Sequence, residues 1–156
     1  MRDSHIHHGI RLSLAMKKFS FFLLSALISI MSFSQDTWKV SHNKVEFLTT
    51  VKHDPEKNIV LVKQADLNQP GEFELKYFEN KPQKSWNRYL VVYDGAENVL
   101  MQKEGGTTLI LQNDTLKDLL QKNSLLKIFT WTLPSDPELA ARIRVRRLHL
   151  CTIELK

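Results

Sequence analysis

The sequence predicts an all-β domain: a mostly antiparallel β-sandwich, Ig-like or jelly-roll-like, of eight or nine strands with one short helix near 114–122. Three observations carry that expectation. Beyond Ser34, short runs of β-branched and aromatic residues recur every 8 to 14 positions between clusters of turn residues. Most of these runs are joined by short turns without alternating helices, which points to antiparallel pairing. A single stretch from Asp114 to Lys122 has a clear helical period, with Leu116, Leu119 and Leu120 at i, i+3 and i+4.

Residues 38–40 and 44–52 open the domain, with Val45, Phe47, Thr49 and Val51 sharing one face of the second run. A turn at 54–58 leads into 59–63, which is nearly all apolar and is therefore expected at the centre of a sheet. Pro70-Gly71 suits a type II turn, because Pro presets φ and Gly accepts φ > 0. Residues 72–78 alternate, with Phe73, Leu75 and Tyr77 on one face and Glu72, Glu74 and Lys76 on the other. The runs 86–93, 98–103 and 107–112 form a meander through turns at Asp94-Gly95 and Gly105-Gly106.

The helix follows, with Asn113 or Asp114 at its N-cap and Asn123 ending it in the left-handed conformation. Residues 124–133 read as a strand. Ser135 to Glu138 fits one helical turn, capped by Asp136 with Pro137 at the first position. A long final strand covers 142–155. There Ile143 and Val145 alternate with Arg142, Arg144 and Arg146, yet Leu148 and Leu150 then share the arginines' parity. Either the distal half is buried on both faces, or a bulge near Arg146-Arg147 resets the alternation.

The domain is preceded by a leader. Met16-Lys17-Lys18 is a basic start, residues 19–35 are 17 uncharged positions, and Ser32-Phe33-Ser34 places small residues at −3 and −1. This is the order of a secretory signal peptide, and the run is short of the roughly 20 residues of a membrane-spanning helix. Residues 1–15, with His5, His7 and His8, read as a misassigned or disordered extension before the better start at Met16. The division is therefore 1–15 extension, 16–34 signal peptide and 35–156 one β-sandwich domain. Such a chain is exported to a periplasm, an outer surface or the medium, with no stable transmembrane segment after processing.

Charge must be read after that division. Of 22 basic residues, Arg2, Arg11, Lys17 and Lys18 precede position 35, as does Asp3 of 17 acidic ones, leaving 18 against 16. A net charge of +2 gives no reason to expect nucleic acid as a partner. Cys151 is the single cysteine, so the domain has no internal disulfide, and its apolar neighbours point to a buried, inert thiol.

No pattern for catalysis or a cofactor stands out. There is no Gly-x-Ser-x-Gly elbow, and His42, His53 and His149 are far apart in sequence and outside any motif. Metal-ligand spacings such as His-x-x-x-His are missing, and Gly105-Gly106 has no following helix to make a phosphate cradle. Two features remain. Trp38, Trp86 and Trp131 fall in strands, where they serve either the core or a stacking platform for sugar rings. Arg142, Arg144 and Arg146 would project from one strand face about 7 Å apart. They form either a solvated face opposite carboxylates such as Glu72 and Glu74, or a shallow strip for acidic glycan, lipid phosphate or a protein partner.

The functional expectation is a non-catalytic, exported β-sandwich acting as a structural or interaction module, with a protein or glycan of the cell envelope as partner. A carbohydrate-binding module and an enzyme with dispersed active-site residues are the alternatives. Processing after Ser34 should leave a mature chain beginning Gln35-Asp36-Thr37. Intact-mass analysis of the exported protein should give the mass of 35–156, and a mass that retains 19–34 would contradict the assignment.

Overall fold

The computed structural model describes residues 35–156, so the signal-peptide and N-terminal-extension assignments lie outside the described residues. Nine strands form two sheets around one core. They are β1 (Thr37–His42), β2 (Val45–Thr50), β3 (Ile59–Val62), β4 (Glu72–Phe78), β5 (Trp86–Tyr93), β6 (Val99–Glu104), β7 (Thr108–Gln112), β8 (Leu125–Pro134) and β9 (Leu148–Leu155). One sheet runs β2-β1-β4-β7 and the other β3-β9-β8-β5-β6. Helix α1 (Asn113–Lys122) carries the chain from β7 to β8, and α2 (Pro137–Ala140) is a single turn after β8.

The core is built from the inward residues of both sheets. Trp38, Val40, Phe73, Leu75, Leu109 and Leu111 of the first meet Val60, Leu90, Val92, Leu126, Ile128 and Ile153 of the second. Leu116 and Leu120 of α1 join the same cluster, as their helical spacing requires. Cys151 is fully buried within it, and burial pushes its thiol pKa well up, so it is an inert core residue.

Several local expectations change. The run 59–63 is an edge strand, not a central one, and β3 pairs in parallel with β9 rather than antiparallel. An unbroken apolar run reads the same at an edge as at a centre when its outer residues stay exposed, as Ile59 and Leu61 do. Val45, Phe47, Thr49 and Val51 do not share one face as expected, because β1 and β2 shift register between Val40 and Ser41. Thr49 pairs with exposed Lys39 and Val45 with buried His42, while Val45, Phe47 and Val51 all remain exposed. Leu48 is the β2 residue that packs on the core. Asn43 and Lys44, at φ 51° and 67°, make the two-residue turn that joins β1 to β2.

Gly71 is not among the residues of positive φ, so the left-handed turn position expected there is absent. It is needed for space: a Cβ would lie 1.9 Å from Asn43 Oδ1. The α1 caps also differ. Gln112 is the N-cap without a side-chain bond, and Asn123 is extended at φ −134°, its amide donating to Leu119 O at 2.8 Å. Asp136 caps α2 as expected, accepting from Glu138 N and Leu139 N.

The final strand starts only at Leu148; residues 142–147 form no strand. A bulge does reset its alternation, but at Leu150 rather than at Arg146-Arg147. Phe129 pairs with His149 and Ile128 with Cys151, leaving Leu150 as the extra residue. Leu150 and Cys151 are therefore both in the core. The Leu150 carbonyl accepts from Trp38 Nε1 at 2.8 Å, a bond from one sheet to the other. Asn58 N–H, which would extend the β3–β9 ladder toward Leu150, bonds Asp54 O at 2.9 Å instead.

On the outer face of the five-stranded sheet His149 is 4% exposed, edge-on to Phe129 and to His53. Its Nε2 bonds Thr152 Oγ1 at 3.0 Å and its Nδ1 meets no partner. Burial, reinforced by His53 and Lys127, lowers its pKa from 6.5 to about 4. The unfolded chain takes up this proton near pH 6.5 and the folded chain only near 4, so stability is fully present above 6.5 and falls with pH through that window. The loss should be on the order of 3 kcal/mol. Urea titrations at stepped pH should show it, and His149→Phe should flatten the profile between those values; an unchanged profile in the variant would contradict the assignment.

Candidate functional site

An open cleft of about 510 Å3 lies between the edge strands β2 and β3. Val45 and Phe47 line it from β2, Leu61 and Lys63 from β3 and its exit, with His42, Asn43, Asp66 and Lys156. Val45 is 62% exposed, Phe47 44% and Leu61 44%, a concentration of apolar surface at a sheet edge. The Lys63 and Lys156 ammonium groups form no ion pair among the described residues, while Asp66 supplies a carboxylate.

One wall is held by a buried amide. The Asn113 side chain donates from Nδ2 to Gln69 O at 2.8 Å, Asp66 O at 3.0 Å and Asn43 Oδ1 at 3.2 Å. Those contacts fix the amide's orientation, so Oδ1 accepts from His42 Nε2 at 2.9 Å and Nδ1 is left as the ring's acceptor. Asn113 is thus a strut between the cleft wall and the β3–β4 connection. The backbone continues it: Asn113 N donates to Gly71 O and Asn43 N to Glu72 O, each at 2.9 Å. The absence of a Cβ at Gly71 lets these segments meet.

The β3 edge is itself a chemical feature. Asn58 O and Val62 O accept from Thr152 N of β9 and from Lys156 N just after it, at 2.8 and 2.9 Å. In a parallel ladder alternate residues bond to one neighbour, so the N–H and C=O groups of Ile59 and Leu61 point to the open side. Among the described residues no strand pairs with that side.

The other sequence-derived candidates are placed as follows. Arg142, Arg144 and Arg146 are exposed but lie in an irregular segment, so the strand-borne row is corrected. Glu72 and Glu74 do not face them: Glu72 accepts from Gln112 in the four-stranded sheet, and Glu74 pairs with Lys76 at 2.8 Å. Arg147 separates from its neighbours, bonding Glu97 at 3.1 Å and lying 5.5 Å over both the Tyr93 and Phe129 rings. Trp38 is core, whereas Trp86 and Trp131 are half-buried. Trp131 stacks on Tyr89 across β5 and β8, with centroids 5.9 Å apart.

A second, smaller recess of about 230 Å3 lies at Glu79, Lys81, Gln83, Trp86, Arg88 and Thr132. Its central charge is already matched. Arg88 pairs with Glu79, donates to Thr130 Oγ1 at 2.9 Å and sits 4.2 Å over the Tyr77 ring. Burial and a bond to Asp36 hold the Tyr77 hydroxyl's pKa well above its usual value. The grouping joins the two sheets and is structural.

Sequence reasoning missed the cleft because it placed β3 centrally; the signal available was the exposed-edge alternative for a four-residue apolar run. It missed Asn113 by reading it as a cap. No hydroxyl or thiol side chain lines the cleft, and no group of three His, Cys, Asp or Glu residues suited to a metal occurs among the described residues. No helix among them is long and apolar enough to cross a membrane. No protein-family model, curated protein or solved structure matches the chain.

Proposed function

We propose that this chain is an exported, non-catalytic interaction module that receives an extended polypeptide strand at the β3 edge. The observation that carries the reading is the outward N–H and C=O pair of Ile59 and Leu61 beside an apolar cleft. An open edge is a template for strand addition: main-chain bonds give affinity, and alternate side chains entering a groove give selectivity. Val45, Phe47 and Leu61 suit apolar guest side chains, and Lys63 and Lys156 suit carboxylates on the guest. The carbohydrate alternative draws only on the Tyr89–Trp131 pair, which is half-buried. The enzyme alternative draws on His42, whose bonded partner is an amide, in a cleft whose described lining carries no hydroxyl or thiol.

The test is selection of a displayed library of short peptides on the immobilised protein, followed by two variants. Ile59→Pro removes an edge donor without touching the β9 ladder, and Phe47→Ser trims the cleft. Selected peptides should alternate apolar residues with interspersed acids, and each variant should weaken them at least about tenfold, the effect of losing roughly 1.4 kcal/mol, with little change in melting temperature. Failure to enrich any sequence, or peptides that bind both variants as tightly as the parent, would overturn the proposal.

A further inference from the structure

The β8–β9 connection carries a second surface that owes nothing to the cleft. Helix α2 packs against β8, and the chain from Ala141 to Arg147 then runs irregularly to β9. Arg142, Arg144 and Arg146 are exposed, and their guanidinium groups have no ion-pair partner among the described residues. Leu139, at 52% exposure, precedes them in α2, and Val145, at 38%, lies between Arg144 and Arg146 in sequence. The β4–β5 loop, which bears Lys84, meets this connection where Ser135 N donates to Ser85 O at 2.8 Å. Two nearby acids are engaged elsewhere: Asp136 caps α2 and Glu97 binds Arg147. Glu138 is the one carboxylate of the connection left exposed without a partner.

We infer that this connection is a docking surface for an anionic lipid bilayer. Free guanidiniums are suited to bidentate contact with phosphate oxygens, and three of them outweigh the single free carboxylate. A polyanion alone would give no role to the exposed aliphatic side chains that the same connection carries, Leu139 and Val145. A bilayer does, because cationic groups engage headgroups while aliphatic ones enter the acyl boundary. The surface is independent of strand capture at β3, so either can fail without the other.

The experiment is co-sedimentation of the processed chain, residues 35–156, with neutral phosphatidylcholine vesicles and with vesicles containing phosphatidylglycerol. Binding should require the anionic lipid and fall with salt. The triple variant Arg142→Ser, Arg144→Ser, Arg146→Ser should bind about a hundredfold more weakly, since each basic residue contributes roughly one kilocalorie at such a surface. Leu139→Asn with Val145→Thr should also weaken binding by about tenfold or more. All these positions are exposed, so melting temperatures should stay close to the parent's. Absence of binding to anionic vesicles, or binding retained by the triple variant, overturns the inference. So does binding that needs the arginines but ignores Leu139 and Val145, which would mark a site for soluble polyanions.

Discussion

The fold turns on one bond between its two sheets. Trp38 Nε1 donates to the Leu150 carbonyl at 2.8 Å, and Leu150 is the extra residue of the β9 bulge. A bulge frees a backbone acceptor, and a carbonyl left bare in a core costs about 1–3 kcal/mol. The indole satisfies it from across the core, where Trp38 is 1% exposed and stacked near Tyr77. The same bulge lets Leu150 and Cys151, adjacent in sequence, both face inward. It also sets the parity that turns His149 outward against Phe129.

The placement of β9 in turn decides what is left open. Because β9 sits between β8 and β3, the four-residue β3 becomes the last strand of its sheet among the described residues, parallel to β9. Its outward backbone groups and the exposed Ile59 and Leu61 are consequences of that position. Asn113 then defines the adjoining wall by tying His42 to the Asp66 and Gln69 carbonyls. The candidate site is therefore a product of topology and one buried amide.

Much of the strand pattern was legible in the sequence. The alternation in Glu72–Phe78 and the aromatic run in Trp86–Tyr93 give those strands their bounds, and the leucine spacing gives α1. What was not legible depends on contacts between distant segments. An apolar run such as 59–62 has the same period at a centre or an edge, and only its pairing with β9 distinguishes them. Arg142, Arg144 and Arg146 alternate with apolar residues as a strand would, yet no ladder forms there because β8 and β9 pair only as far as Thr130 and Leu148. Asn113 has the chemistry of a cap, and the partners that outcompete that role lie 44 to 71 positions away.

Hydrogen exchange in Trp38→Phe, compared with the parent, tests the bond between Trp38 and Leu150. The variant keeps an aromatic ring but removes the indole donor together with part of the buried ring volume. If the Leu150 carbonyl depends on that donor, its exposure should cost about 1–3 kcal/mol on top of the loss from the trimmed ring. Amide protection should then be lost first around the bulge, at His149 to Thr152 and the facing Ile128 and Phe129 of β8. The parent's indole Nε1 proton should exchange as slowly as the most protected core amides. Equal protection across β9 in the two proteins, with a fast-exchanging indole proton in the parent, would contradict the central role given to this bond.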